Sequence, residues 1–267
     1  MLKFLRNWTL PLSMLTGMCV YLLFAHVQAL NPAKPLIYTL IGYLTPSLIF
    51  AQLLLTFCKI SPRELLPTPW HGWLLLFQTF ATCGLAAALL LLPVSLEQKI
   101  ILEAAMVCFI CPTATAAAVI TGKLGGSASS LTTYTLLSNL LAAVAVPLLF
   151  PLVEPHANLS FFSAFLLILS KVFPLLLCPF LLAWLLRIWL PAVHQWLLER
   201  HTAAFYLWGV ALAIVSGQTV RSLVNSTAPG YVEVLIALAG LVACCVQFYL
   251  GKRIGGHYKE RISGGQA

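Results

Sequence analysis

Charge is what this sequence has least of. Lysine, arginine, aspartate and glutamate make up 8% of its 267 residues against 61% hydrophobic, and the mean hydropathy is +0.96. So few charged side chains cannot clothe that much apolar surface, which excludes a water-soluble domain. A cysteine framework is also missing. The eight cysteines, at positions 19, 58, 83, 108, 111, 178, 244 and 245, fall in or at the ends of apolar runs, where a free thiol packs as a small hydrophobe. The six histidines are scattered without ligand spacing and no Ser/His/Asp constellation converges, so neither a metal centre nor a hydrolase is expected. The chain therefore reads as a non-enzyme without a cofactor. A net charge of +8 gives no nucleic-acid surface, because the basic residues sit at helix ends and not in a patch with interleaved aromatics. Lys3 and Arg6 precede an apolar run too long for a signal peptide and without a clear small-residue cleavage site, so that run is the first helix.

What the chain has is long apolar runs. A membrane-crossing helix takes roughly 20 apolar residues, and the runs predict about eight: near 8–29, 35–57, 71–92, 98–122, 128–153, 161–190, 202–224 and 230–251. The expectation is an all-α polytopic membrane protein, one transmembrane domain over 1–267, with the lipid bilayer as its principal partner. Eleven basic residues (Lys3, Arg6, Lys59, Arg63, Lys123, Arg187, Arg200, Lys252, Arg253, Lys259 and Arg261) fall on one side. Only Lys34, Lys99 and Arg221 fall on the other, and Lys171 lies inside a helix. Positive residues stay inside, which puts both termini in the cytoplasm, in a bacterial inner membrane. The end of the chain, GKRIGGHYKERISGGQA, reads as a basic cytoplasmic tail.

One stretch at membrane depth contains what a membrane helix avoids. Over 108–126 the sequence is CFICPTATAAAVITGKLGG, and Pro112 lacks the N–H that the Cys108 carbonyl needs. In hydrocarbon an unpaired carbonyl costs several kcal/mol, so non-helical backbone survives only where protein covers it or a wet cavity meets it. Thr113, Thr115 and Thr121 suit such a place. The next run, opening SASSLTTYTLLSN, is unusually rich in hydroxyls; Thr135, Ser138 and Asn139 share one helical face, which is expected to meet the broken helix. Gln78, deep in LLLFQTFATCG, must find partners on a neighbour, as packing glue or as a ligand.

Other polar residues have plainer readings. Pro46 is a kink, Trp70 and Trp73 sit at interface depth, Glu103 snorkels to the outside water, and Pro147 and Pro151 end the fifth helix. Lys171, about ten residues into the sixth helix, is either functional or snorkelling. Asn158 and Asn225 begin N-x-S/T triplets in outside loops, relevant only in a secretory-pathway host.

The run CPTATAAAVITGKLGGSASSLTTYTLLSNLLAAVAVPLLFP resembles the crossover hairpin of the bile acid:sodium symporter family, where a Cys-Pro-x-x-Thr-Ala stretch breaks helix 4 and a Ser/Thr-rich helix 5 follows. The order of spans and a glutamine in helix 3 agree with it. The resemblance implies an inverted-repeat transporter fold, with panel-like helices 1, 2, 6 and 7 and core-like helices 3, 4, 5 and 8. It also implies a substrate or ion site at Pro112, Thr113, Thr115, Thr135, Ser138, Asn139 and Gln78, and a small organic anion as substrate.

Two departures bear on this. Ala117 and Ala118 stand where sodium-coupled members place Ser and Asn, and a methyl group cannot coordinate a cation, which leaves at most half of the first sodium site. The family's ninth and tenth helices have no counterpart before Ala267, so a chain truncated after the eighth helix is expected. Two alternatives stand beside the transporter: a non-transporting membrane subunit completed by a partner chain that supplies the missing helices, and a membrane thiol oxidoreductase using the C-x-x-C pair Cys108 and Cys111.

Overall fold

The computed structural model describes residues 8–27, 32, 34–59, 66–155, 159–199 and 201–267. Lys3, Arg6, Asn31, Arg63, His156, Asn158 and Arg200 lie outside the described residues, as do the side chains of Thr115, Lys123 and His201.

The described residues form helices joined by short turns, with no strand among them. In chain order they are α1 (Thr9–His26), α2 (Lys34–Cys58), α3 (Pro69–Leu91), α4 (Leu96–Ile110), α5 (Thr115–Lys123) and α6 (Ala128–Val153). After these come α7 (Phe161–Trp189), α8 (Pro191–Glu199), α9 (His201–Val224), α10 (Gly230–His257) and α11 (Arg261–Gln266). Seven of them (α1, α2, α3, α6, α7, α9 and α10) are long and apolar enough to cross a membrane, the architecture of an integral membrane protein. The expected fourth span, 98–122, is instead two helices of 15 and 9 residues with 111–114 between them. Neither piece reaches the length of a span, and Pro112 is the reason.

The helices divide into two compact units, Met1–Lys59 with Pro179–Thr227 and Ile60–Cys178 with Ala228–Ala267. In the first, α1 packs on α9 through glycines. A side chain at Gly17 would run into the backbone of Ala213, and one at Gly217 would come within 3.0 Å of the Gly17 carbonyl oxygen. Gln52 of α2 donates to the Leu207 carbonyl at 3.2 Å, and His194 of α8 donates to the Cys58 carbonyl at 3.0 Å, so buried polar groups join helices where no hydrophobic force does.

The second unit holds α3, α4, α5, α6, α10 and α11. Ser95 and Gln98 cap the start of α4 reciprocally, the serine oxygen accepting from the Gln98 N–H at 3.3 Å and the glutamine oxygen from the Ser95 N–H at 3.0 Å. Between α5 and α6 the turn is tight: Gly125 has φ +83°, open to glycine at no steric cost, and Ser127 then caps α6 by accepting from the Ser130 N–H at 3.1 Å. α6 continues through Pro147 and Pro151 and ends at Val153, the expected bound, two residues after the second proline. In a membrane span packed neighbours can cover the carbonyls that the prolines free, and both prolines are buried.

At three places the structure adds contacts that composition does not indicate. The last residues, expected as a basic tail, keep Lys252, Arg253, Lys259 and Arg261 exposed but are folded onto the bundle. After a turn at Lys259 (φ 62°) the chain doubles back as α11 and packs along α10, burying Ser263, Gly264 and Gly265. The contact is backbone on backbone, since a side chain at Gly251 would collide with the Gly264 carbonyl. Ser263 fastens it to the turn before α6, accepting from the Ser127 N–H at 3.0 Å. Trp70, in the first turn of α3, is wholly buried with its ring stacked on Tyr134 at 5.6 Å between centroids, whereas Trp73 is exposed, so of the two only Trp73 offers its ring to the surroundings. Glu103 does not reach alone for water: Lys99 lies 3.6 Å from it and 2.5 Å from Glu154, tying the start of α4 to the end of α6.

Candidate functional site

The site grows from the unmet carbonyls of α4. A helix end leaves its last four C=O groups without intrahelical donors. The last helical bond of α4 is Cys111 N–H to the Val107 carbonyl at 3.0 Å. The carbonyls of Cys108, Phe109, Ile110 and Cys111 are therefore left over. Pro112 has no N–H for the first, and the Thr113 N–H turns away to the Ser138 hydroxyl oxygen at 3.4 Å.

Two glutamine amides cover all four. Gln78 Nε2, from α3, donates to the carbonyls of Ile110 at 3.3 Å and Cys111 at 3.5 Å. Gln247 Nε2, from α10, donates to those of Cys108 at 3.4 Å and Phe109 at 3.5 Å. The bonds are long and shared, and therefore individually weak. They nevertheless give each freed carbonyl a donor at membrane depth.

Across the break the backbone is extended (Cys111 φ −58°, ψ 127°; Ala114 φ −64°, ψ 137°) before α5 begins. Beside it lies a small cavity lined by Leu74, Phe77, Gln78, Cys111, Thr113, Tyr134, Gln247 and Ala267. The space open to the centres of water-sized molecules is about 30 Å³, room for roughly two waters. No lining residue is a lysine, arginine or carboxylate side chain. Gln78 is 5% exposed, and its Oε1 meets no donor among the described residues.

The expected site residues are distributed unevenly around this cavity. Gln78 and Thr113 line it, and Pro112 makes the break. Ser138 buttresses the break from behind, accepting from Thr113 and donating to the Thr135 carbonyl at 3.0 Å. The Thr135 hydroxyl bonds back to Leu131 of its own helix at 3.0 Å, so it steadies α6. Asn139 is 2% exposed and does not line the cavity; its Nδ2 has no acceptor among the described residues. Thr115 opens α5 with its side chain undescribed. Ala118 is buried in an apolar cluster with Trp70, Leu74, Leu131 and Tyr134, against which Ala117 packs. Methyl groups at 117 and 118 thus fill a hydrophobic contact.

Sequence reasoning missed Gln247 and Tyr134. The signal for Gln247 was the one that flagged Gln78, an amide alone in an apolar run, here ACCVQFYL. No protein-family model matches this chain, and a comparison with curated proteins finds no match. The site therefore stands on its geometry.

A second polar cluster lies nearby. His71 Nδ1 accepts from the Thr68 N–H at 3.1 Å, which leaves the ring proton on Nε2, 3.2 Å from the Ser130 oxygen. With no shell of His, Cys, Asp or Glu able to hold a metal among the described residues, this pairing is a joint between α3 and α6.

Proposed function

We propose that this chain is a secondary transporter of the kind the crossover-hairpin resemblance implies, moving a small organic anion by alternating access around the break between α4 and α5. In this reading eight spans belong to an inverted-repeat fold, the fourth being the broken one. The protein resides in a bacterial inner membrane with both termini in the cytoplasm. The observation that carries the reading is the pair of amides holding four carbonyls of a broken helix beside a water-sized cavity. Irregular backbone at membrane depth survives where protein covers it or a wet cavity meets it, and broken helices meeting a solute near the midplane are the transporter use of that rule. The division into two compact units supports it as well, since rocking one body against another needs two bodies.

The apolar packing of Ala117 and Ala118 argues against a sodium ligand at those positions, so coupling to Na⁺ is not part of the reading. The test is uptake of labelled small carboxylates into proteoliposomes of the full chain, with and without Na⁺ and H⁺ gradients. Saturable uptake that Pro112→Ala alters is expected. Uptake equal to that of empty liposomes under every gradient overturns the proposal.

A further inference from the structure

Of the three basic residues expected on the far side, Lys34, Lys99 and Arg221, one is neutralised and two are not. Lys99 lies between Glu103 and Glu154. Lys34 and Arg221 belong to the unit Met1–Lys59 with Pro179–Thr227, whose sequence holds a single carboxylate, Glu199. Glu199 ends α8, before α9 begins, whereas Arg221 is in the last turn of α9. At 1.5 Å per residue the two are about 30 Å apart along the axis. Neither Lys34 nor Arg221 meets a carboxylate among the described residues.

Both cations converge on one pair of rings. Phe24, near the end of α1, meets Tyr38 of α2 edge to face with centroids 6.0 Å apart. Lys34 Nζ lies 6.0 Å from the Phe24 centroid, and the Arg221 guanidinium carbon lies 3.6 Å from that of Tyr38. A ring face attracts a cation and fixes its position but carries no net charge, so it leaves the cation unneutralised. Donors remain as well. Stacking occupies the face of the guanidinium and leaves its N–H edge open, and Arg221 is exposed. Lys34 gives one of its three N–H groups to the Ala25 carbonyl at 3.1 Å and keeps two.

We infer that this end of the first unit is a binding site for the head group of an anionic phospholipid, with the phosphate oxygens on the Arg221 edge and the Lys34 ammonium. A guanidinium edge matches two phosphate oxygens at once, and the ends of α1, α2 and α9 are where a span meets the head-group layer. A soluble anion would offer similar oxygens. The surface beside the cations favours the lipid, because Leu23, Leu36, Leu40 and Leu223 are exposed on the same three helices and acyl chains would cover them. A zwitterionic lipid brings its own cation to two uncompensated ones, so a net negative lipid is preferred. The inference needs only that these helices span a membrane and does not depend on transport.

The experiment titrates the full chain in detergent with phosphatidylglycerol or phosphatidylcholine and counts retained lipids by native mass spectrometry. Wild type is expected to retain phosphatidylglycerol at least about tenfold more tightly than phosphatidylcholine. Lys34→Gln keeps an N–H for the Ala25 carbonyl and removes only the charge; it should weaken the tightest-held phosphatidylglycerol about fivefold, and Arg221→Gln at least as much. The double variant should lose the preference, with phosphatidylcholine unchanged. Lys99→Met, whose charge two glutamates already meet, should retain lipid as the wild type does. Equal retention of the two lipids by the wild type, or phosphatidylglycerol held as tightly by either folded single variant, overturns the inference. Displacement of the lipid by glycerol 3-phosphate at equal concentration would assign a soluble-anion site and overturn it too.

Discussion

Replacing Gln78 by leucine isolates the amide clamp. Leucine nearly matches the volume of glutamine but offers no donor, so the carbonyls of Ile110 and Cys111 lose the 3.3 and 3.5 Å bonds that serve them. Each buried acceptor left unmet costs about 1–3 kcal/mol, and long, shared bonds belong at the lower end, giving about 3 kcal/mol for the two. The substitution also removes Gln78 Oε1, a buried acceptor already without a partner, which returns about 1 kcal/mol. The net is a destabilisation of about 2 kcal/mol. For a chain of this size that lowers the melting temperature by about 4–8 °C. Tryptophan-fluorescence melting of the purified, monodisperse protein reads it directly. Gln78→Leu melting at or above the wild-type temperature would mean that the orphan oxygen outweighs both carbonyl bonds and that the amide does not hold the break.

Other perturbations reach other joints. Gly251→Val should drive α11 off α10, since even the first carbon of a side chain meets the Gly264 carbonyl; overpacking of this kind costs about 1–3 kcal/mol. Limited trypsin digestion should then cut at Arg261 at least several-fold faster than in the wild type, and an unchanged rate would contradict the packing. Lys99→Met should cost only about 0.5–1 kcal/mol, because the pairs with Glu103 and Glu154 are partly solvated. That loss should shrink when melting is repeated at about 1 M salt, where screening acts within about 3 Å. His71→Leu removes the ring that Ser130 and the Thr68 N–H both use, and a larger loss of melting temperature than for His71→Gln is expected.

The membrane architecture was legible because it depends on composition, which no tertiary contact can disguise. The break was legible because proline acts locally: whatever surrounds Pro112, it has no N–H. Gln78 was legible as a buried amide in need of a partner, but not which carbonyls it would meet, because that depends on how α3 lies against α4. Gln247 carries the same signal, an amide alone in an apolar run.

The chain end misled for a physical reason. Lys252, Arg253, Lys259 and Arg261 look like cytoplasmic anchors, and their long side chains can remain in water while the glycines beneath them pack. Gly251 and Gly255 at a four-residue interval, with Gly264 and Gly265 beyond, were the signal that two backbones could approach. That Trp70 would be covered by Tyr134 was not legible, because the stacking depends on how α3 lies against α6.

If a transported solute meets this chain at the break between α4 and α5, that break faces water within a bundle of membrane helices. Both cysteines are exposed, Cys111 on the lining of the cavity and Cys83 on the span α3 among apolar neighbours. In single-cysteine proteins reconstituted in liposomes, a small water-soluble thiol reagent should modify Cys111 at least about tenfold faster than Cys83, because the reagent and the thiolate it attacks both require water. Labelling of Cys111 no faster than that of Cys83 would show that the break does not face water.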